Sequence, residues 1–322
     1  MNVLITNIGR RGYLVDFIKA EESFCGQVFV ADCDETASGL YSNHDGRFLL
    51  PRPVEEEARY VAELLSLCRQ QAVDIVIPVI DPEIYLLSKH KELFAKERIL
   101  VVVSDFGVLE TCCSKLKMND FLRKNGFDVV PTFTGIRQLE AAHAGGTIDF
   151  PVFIKPVNGS GSSNCGAVHS LEELNASFRE QMLIQPLLTG DEYGVDVFND
   201  SSGMPVRLVI KKKLAMRSGE TDKAVTVFHE QIHSLALRLA KALKHFGPLD
   251  LDIIVEQGRL YVIDMNPRLG GGYPATHLAG VDFLQLLMQM HGGTDPAPEF
   301  NNYKAGLLTM KDIGIKTCIT RS

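Results

Sequence analysis

Two rhythms of apolar and polar positions run along the first hundred residues. Compact apolar runs at residues 3–6, 27–31, 74–78 and 99–104 have the length and β-branched content of strands. Between them, residues 13–22, 54–71 and 82–94 place apolar side chains every third or fourth position, the period of an amphipathic helix. Strands alternating with helices in this way predict a doubly wound parallel sheet, ending near residues 106–109. The pattern then changes. A helix is expected over 115–125, stopped by Gly126. Strands follow at 152–155 and 183–185, with alternating, antiparallel-type strands at 192–198 and 206–213. A long helix over 225–246 and a hairpin formed by 250–255 and 260–265 complete an α+β half.

The hairpin carries the first candidate chemistry. A three-residue loop Glu256-Gln257-Gly258, with Gly258 left-handed, sets Asp252 opposite Val262 and diagonal to Asp264. Asp252, Asp264 and Asn266 then share one face, and Leu251, Ile253, Ile263 and Met265 share the other. Acids at diagonal spacing repel unless a cation lies between them, and hard oxygen donors suit Mg²⁺. The alternative is the solvated face of an edge hairpin, which is the reading adopted for Asp250. Pro267-Arg268 and three glycines follow at once, in "YVIDMNPRLGGG".

The segment "FIKPVNGSGSSNCG" ends an apolar strand in Lys155 and continues into Gly159-Ser160-Gly161-Ser162. Such a loop can close backbone N–H groups and hydroxyls around phosphate, or form a surface turn; the lysine favours phosphate. Lys115 opens the helix in "CSKLKMNDFL" and is a second candidate cation. In "LIQPLLTGDEYGVDVF", the backbone of Gln185, Pro186, Leu187 and Leu188 can meet an adenine edge, and Glu192 can reach ribose hydroxyls. Lys211 and Lys213 alternate on one strand face ahead of Arg217, and function is assigned to Arg217 and one of these lysines. In the N-terminal half, Arg10 and Arg11 either bind an anion at a helix start or merely flank that start. Asp81 and Glu83 sit at a strand end, where they can bind an amine or cap the next helix.

Composition narrows the classes. With 322 residues, 45% hydrophobic and 23% charged, the chain suits two or three packed units of an ordinary globular protein. A net charge of −7 argues against nucleic acid or anionic membrane as a partner. The longest pure apolar run, "ILVVV", spans no membrane, and the N-terminal arginines follow the apolar run, unlike a signal peptide. Seven scattered cysteines, without C-x-x-C, fit reduced thiols and a cytoplasmic setting. "GRRG" lacks dinucleotide-fingerprint spacing, which disfavours a dehydrogenase.

Taken in order, these segments resemble the ATP-grasp superfamily, and most nearly chains related to the carbamoyl-phosphate synthase large subunit. The carboxylate–Asn-Pro-Arg–glycine run, twelve residues after another acid, is the specific part of the likeness. The resemblance implies a pre-ATP-grasp domain at 1–107 and an ATP-grasp domain at 108–293. A mobile lid over about 129–184 and a C-terminal extension at 294–322 complete the expected organisation. It implies ATP binding by Lys115, Lys155, the loop Gly159, Ser160, Gly161 and Ser162, the hinge Gln185–188, and Glu192. It implies Mg²⁺, with Mn²⁺ as an alternative, on Asp252, Asp264 and Asn266. Arg268, Lys155 and, more loosely, Arg217 are implied as catalytic residues. The implied reaction joins a small carboxylate to an amine through an acyl phosphate. Its alternatives are a carbamoyl-phosphate-synthase-type kinase or ligase and a regulatory nucleotide-binding protein. A homodimer is compatible with this reading. Two departures stand out: both metal positions carry aspartate where the superfamily usually has glutamate, and Gln185 stands where an acid is frequent.

Overall fold

The computed structural model describes residues 1–159 and 164–317. In the N-terminal unit, β1 (Val3–Thr6), α1 (Tyr13–Ala20), β2 (Val28–Asp32), β3 (Gly46–Leu49), α2 (Glu57–Gln70), β4 (Ile75–Pro78), α3 (Asp81–Ala95) and β5 (Leu100–Val101) follow one another. All strand pairs are parallel, in the order β3-β2-β1-β4-β5. β1, β2 and β4 are buried at every position, as strands covered on both faces must be. One face packs on α1 and on residues 283–287 near the C-terminus, the other on α2 and α3. β3 escapes a reading by apolar runs because it alternates, as an edge strand with one wet face does.

The expected boundary at 106–109 falls inside a helix, α4 (Phe106–Cys113). Ser114 then caps α5 (Lys115–Lys124), its hydroxyl accepting from Lys117 N. α6 (Ile136–Ala144), β6 (Val152–Pro156), β7 (Gly166–Val168), α7 (Leu171–Ser177) and β8 (Met182–Pro186) form a small unit with its own core around Leu139, Ile154, Leu174 and Ile184. Its sheet order is β7-β6-β8.

The second large sheet is antiparallel. It is built from β9 (Asp191–Asn199), β10 (Pro205–Arg217), β11 (Glu220–Val227), β12 (Gly247–Glu256) and β13 (Arg259–Asn266), with α8 (Glu230–Leu243) on one face. Residues 225–227, expected as the start of the long helix, pair with β10 instead, and α8 begins only at Glu230. Valines and threonines in alternation are stable as a strand once β10 offers a partner. Beyond α9 (Tyr273–Leu278) and α10 (Phe283–His291), β14 (Leu308–Met310) adds a sixth strand beside β11. The segment after 294 thus returns to the sheet.

Glu83, expected in the crevice, is fully buried inside the N-terminal unit. It accepts from the Tyr60 hydroxyl, which itself accepts from Asn7 Nδ2 at 3.3 Å. Its second carboxyl oxygen has no hydrogen-bond partner among the described residues. Burial pushes this carboxyl up from 4.5 to about 7. Between those pH values the folded chain keeps a proton that the unfolded chain has lost, so stability falls as pH rises through the window. Glu83→Gln should flatten that slope: the stability difference between variant and wild type should shift in the variant's favour by roughly 3 kcal/mol from pH ~4.5 to ~8, measured by urea denaturation.

Candidate active site

The hairpin β12–β13 faces the carboxyl ends of β1 and β4 across a cavity of about 820 Å³. Its turn contains two residues, Gln257 and Gly258, at φ 50° and 78°, so Glu256 pairs with Arg259 and Val255 with Leu260. This replaces the expected three-residue loop and shifts the register by one. A bulge then restores the alignment of the acids. Ile253 pairs with Val262 while Asp252 pairs with Asp264, so Ile263 is the extra residue. Asp252 therefore lies directly opposite Asp264, not diagonal to it, and Ile263 lines the cavity instead of the core. Asn266 lies opposite Asp250.

Asp250 is not on a solvated face. Its Oδ2 accepts from Arg268 Nη1 at 3.0 Å, and Arg268 Nε donates to Asp81 Oδ1, also at 3.0 Å. Asp81 is the first residue of α3, and its carboxylate accepts from Arg268. These two acids overcome the cost of burial and hold the guanidinium charged. The glycine run explains how the chain passes this cluster. A Cβ on Gly270 would lie 2.4 Å from the Asp250 carboxylate, and one on Gly271 would lie 2.9 Å from the Glu220 side chain.

Beside the acids stand three lysines. Lys115 Nζ lies 3.7 Å from Asp264 Oδ1 and donates to Gly159 O at 2.8 Å. Lys155, at the end of β6, donates over a long 3.5 Å to the carbonyl of the bulged Ile263. Burial, then the nearby Lys115 charge, lower its ammonium to about 8. Lys213 Nζ donates to Glu192 Oε1 at 2.8 Å and lies 2.5 Å from Asp252 Oδ1. Burial pushes the Asp252 carboxyl up to about 6 against the pull of Lys213.

Gly194 faces Asp252 on one side and Lys211 on the other, and the stems of both β10 lysines pass beside it. A Cβ there would sit 3.4 Å from Lys213 Cε and 3.6 Å from Lys211 Cε. Lys211 is buried beneath the site, paired with Asp196, which also accepts from Thr276. It does not line the cavity.

Lys115, Lys155, Gly159, Gln185, Pro186, Leu187, Leu188, Glu192, Asp252, Asp264, Asn266 and Arg268 all line this one cavity. Gln185 Nε2 is turned to Thr132 Oγ1 at 2.8 Å. Ser160, Gly161 and Ser162 lie outside the described residues. Arg217 does not line the cavity: it reaches Asp222 at 3.1 Å and is half exposed. The reason lies in β10, where Leu214 is an extra residue relative to β11. Positions 211 and 213 face inward before it, whereas Met216 and Ser218 line the cavity after it.

Of the two arginines in "GRRG", Arg10 is exposed and Arg11 lines the cavity. Arg11 Nη2 donates to Glu220 Oε1 at 2.9 Å, and Lys311 Nζ donates to the other oxygen of Glu220 at 3.0 Å. Glu220 belongs to no motif in the sequence; only the pairing of β10 with β11 brings it to the site.

The donor set fits a divalent cation with oxygen ligands: two carboxylates directly across a hairpin and an amide oxygen on the same strand. Among the described residues, no cluster of three or more histidine, cysteine or acidic side chains forms a metal site by itself. An ion here would need Asn266, water or a bound ligand to complete its shell.

Residues 3–102 match the PylC-like N-terminal domain family, and residues 112–272 match the ATP-grasp domain family. The carbamoyl phosphate synthase large chain of Pseudothermotoga lettingae is 26% identical over 197 residues, covering 56% of this chain and 18% of that protein. The chain therefore spans less than a fifth of this relative's length. Among solved structures, the biotin carboxylase domain of Hydrogenobacter thermophilus 2-oxoglutarate carboxylase, in complex with MgADP, ADP and bicarbonate, superposes with a TM-score of 0.75. It is 17% identical, over 95% of this chain and 73% of that one. L-amino acid ligase from Bacillus licheniformis gives a TM-score of 0.69 at 19% identity, over 89% of this chain and 73% of its own. At these identities the two structures establish the shared fold.

Arg268 joins the N-terminal unit to the hairpin. Arg268→Leu should lower stability by roughly 3–5 kcal/mol, because it removes the buried cation that both the Asp81 and Asp250 carboxylates contact. Adding Asp250→Asn should recover part of the loss, measured by urea denaturation at neutral pH.

Proposed function

The chain belongs to the ATP-grasp family, and we propose that it is an ATP-dependent ligase joining a small carboxylate to an amine through an acyl phosphate, with release of ADP and phosphate. One observation carries this reading. Lys115 and Lys155 converge beside Asp264 in the cavity that also holds Arg268, and among the described residues Lys155 has no acid at hydrogen-bonding distance. Two ammonium groups held together in a buried site repel each other, and a polyphosphate is the ligand that relieves them.

In this reading Lys115 and Lys155 hold the phosphate chain. The segment Gln185–188 and Phe153 offer backbone and apolar contacts to the base. Glu192 lies where ribose hydroxyls would reach it. Asp264 and Asn266 would hold Mg²⁺, with Asp252 directly across the hairpin, and the ion would supply the positive charge that lets a carboxylate approach the phosphates. Arg268, charged and fixed by Asp81 and Asp250, faces the transferred phosphoryl group. Arg11 and Glu220 border the end of the cavity next to the N-terminal unit, where the acid and amine would lie. The unit built on β6–β8 would cover the nucleotide and keep water from the acyl phosphate. None of these steps requires a side-chain nucleophile.

A carbamoyl-phosphate-synthase-type reaction is the second reading, because the curated relative is such a synthase. Release of ADP with bicarbonate and ammonia, but with no acid–amine pair, would favour it.

Lys155→Met should weaken ADP binding roughly 10- to 100-fold, the value of a hydrogen bond to a charged group, measured by calorimetry. Asp264→Asn should abolish amine-dependent ADP release while leaving the melting temperature within ~2 °C of wild type. Wild-type turnover in both variants would sink these assignments.

A further inference from the structure

We propose that Lys213 is a built-in cation of the site, standing at Asp252 in place of a second divalent ion, so that the cavity takes nucleotide with one divalent ion on Asp264 and Asn266. This rests on the nucleotide-binding reading above and goes beyond it. Three acids lie on the cavity face of the hairpin, and they are not equally open. Asp250 is engaged by Arg268 at 3.0 Å. Asp252 is engaged by Lys213 at 2.5 Å. Asp264 has its lysine, Lys115, only at 3.7 Å, beyond hydrogen-bonding distance. An arriving cation therefore meets one available carboxylate first, and the amide of Asn266 lies on the same strand and lines the same cavity.

The lysine is anchored, not adventitious. Its side chain is 6% exposed, and it spans two acids from different strands, Glu192 on β9 and Asp252 on β12. Its stem crosses β9 beside Gly194, which pairs with Asp252. Two divalent ions sharing carboxylates are typically about 3.5–4 Å apart. An ammonium at 2.5 Å from Asp252 occupies the space that one of them would need. Displacing it would strand a buried charge with Glu192 alone. The aspartates act in the same direction, since a carboxylate shorter by one methylene cannot reach around Lys213 to a displaced ion.

The test counts ions instead of turnover. The full chain is titrated with Mn²⁺ in the presence of saturating ADP, with free Mn²⁺ followed by electron paramagnetic resonance and bound ADP by calorimetry. The wild type should take one Mn²⁺ per bound ADP. Lys213→Met frees Asp252 and should take two, whereas Lys213→Arg should keep one. Two Mn²⁺ on the wild type would overturn the proposal. So would one on both the wild type and a folded Lys213→Met, since Lys213 would then not be the excluding group. Should Lys213→Met fail to fold, the wild-type count together with Asp252→Asn decides: the proposal requires one ion in both, and loss of the ion in Asp252→Asn would overturn it. A wild type that binds no ADP at any Mn²⁺ concentration would remove the nucleotide reading itself, and this inference with it.

Discussion

Charge compensation across one face of an antiparallel sheet is the constraint on which the rest of the site depends. Asp250, Asp252 and Asp264 project from a single hairpin toward a shielded cavity, and three acids so close repel one another unless cations lie between them. Each has a basic side chain assigned to it: Arg268, Lys213 and Lys115. The pairings differ in distance, and the differences give the site its direction. The tight pairs at Asp250 and Asp252 fix the geometry, while the loose pair at Asp264 leaves room for a ligand.

The same electrostatics stitch the units together. Arg268 comes from the ATP-grasp half and Asp81 from the N-terminal unit, so the contact that compensates the buried guanidinium also joins the two units. Arg11, Glu220 and Lys311 repeat the arrangement with three distant segments, the last of them just beyond the strand that completes the sheet. A buried ion pair contributes little net stability over an apolar pair, but breaking one leaves an uncompensated charge. Such contacts select one relative arrangement of the units more than they deepen its stability. Close approach is part of the cost. Gly194, Gly270 and Gly271 lack side chains where lysine stems or acid groups run past the backbone.

The bulges deserve the same weight as the charges. Ile263 and Leu214 each shift their strand by one residue next to the cavity. Without the first, Asp252 and Asp264 would not face each other; because of the second, Met216 and not Arg217 faces inward. Both sit beside the groups they aim.

The amino-acid sequence by itself determined the alternation that makes the N-terminal parallel sheet, the helix opened by Lys115, and the ordered series of lysine, glycine loop, acid pair and Asn-Pro-Arg. These are local signals, carried by periodicity and spacing within each segment. The tertiary structure alone decided that Asp250 serves Arg268 and that Glu83 is buried away from the crevice. It also set Lys213, not Lys211, among the acids of the cavity, and brought Glu220 to Arg11. Each of these depends on which strands become neighbours and on a one-residue slip in register, and a slip leaves no trace in the hydrophobic pattern while it turns a side chain from one face of a sheet to the other.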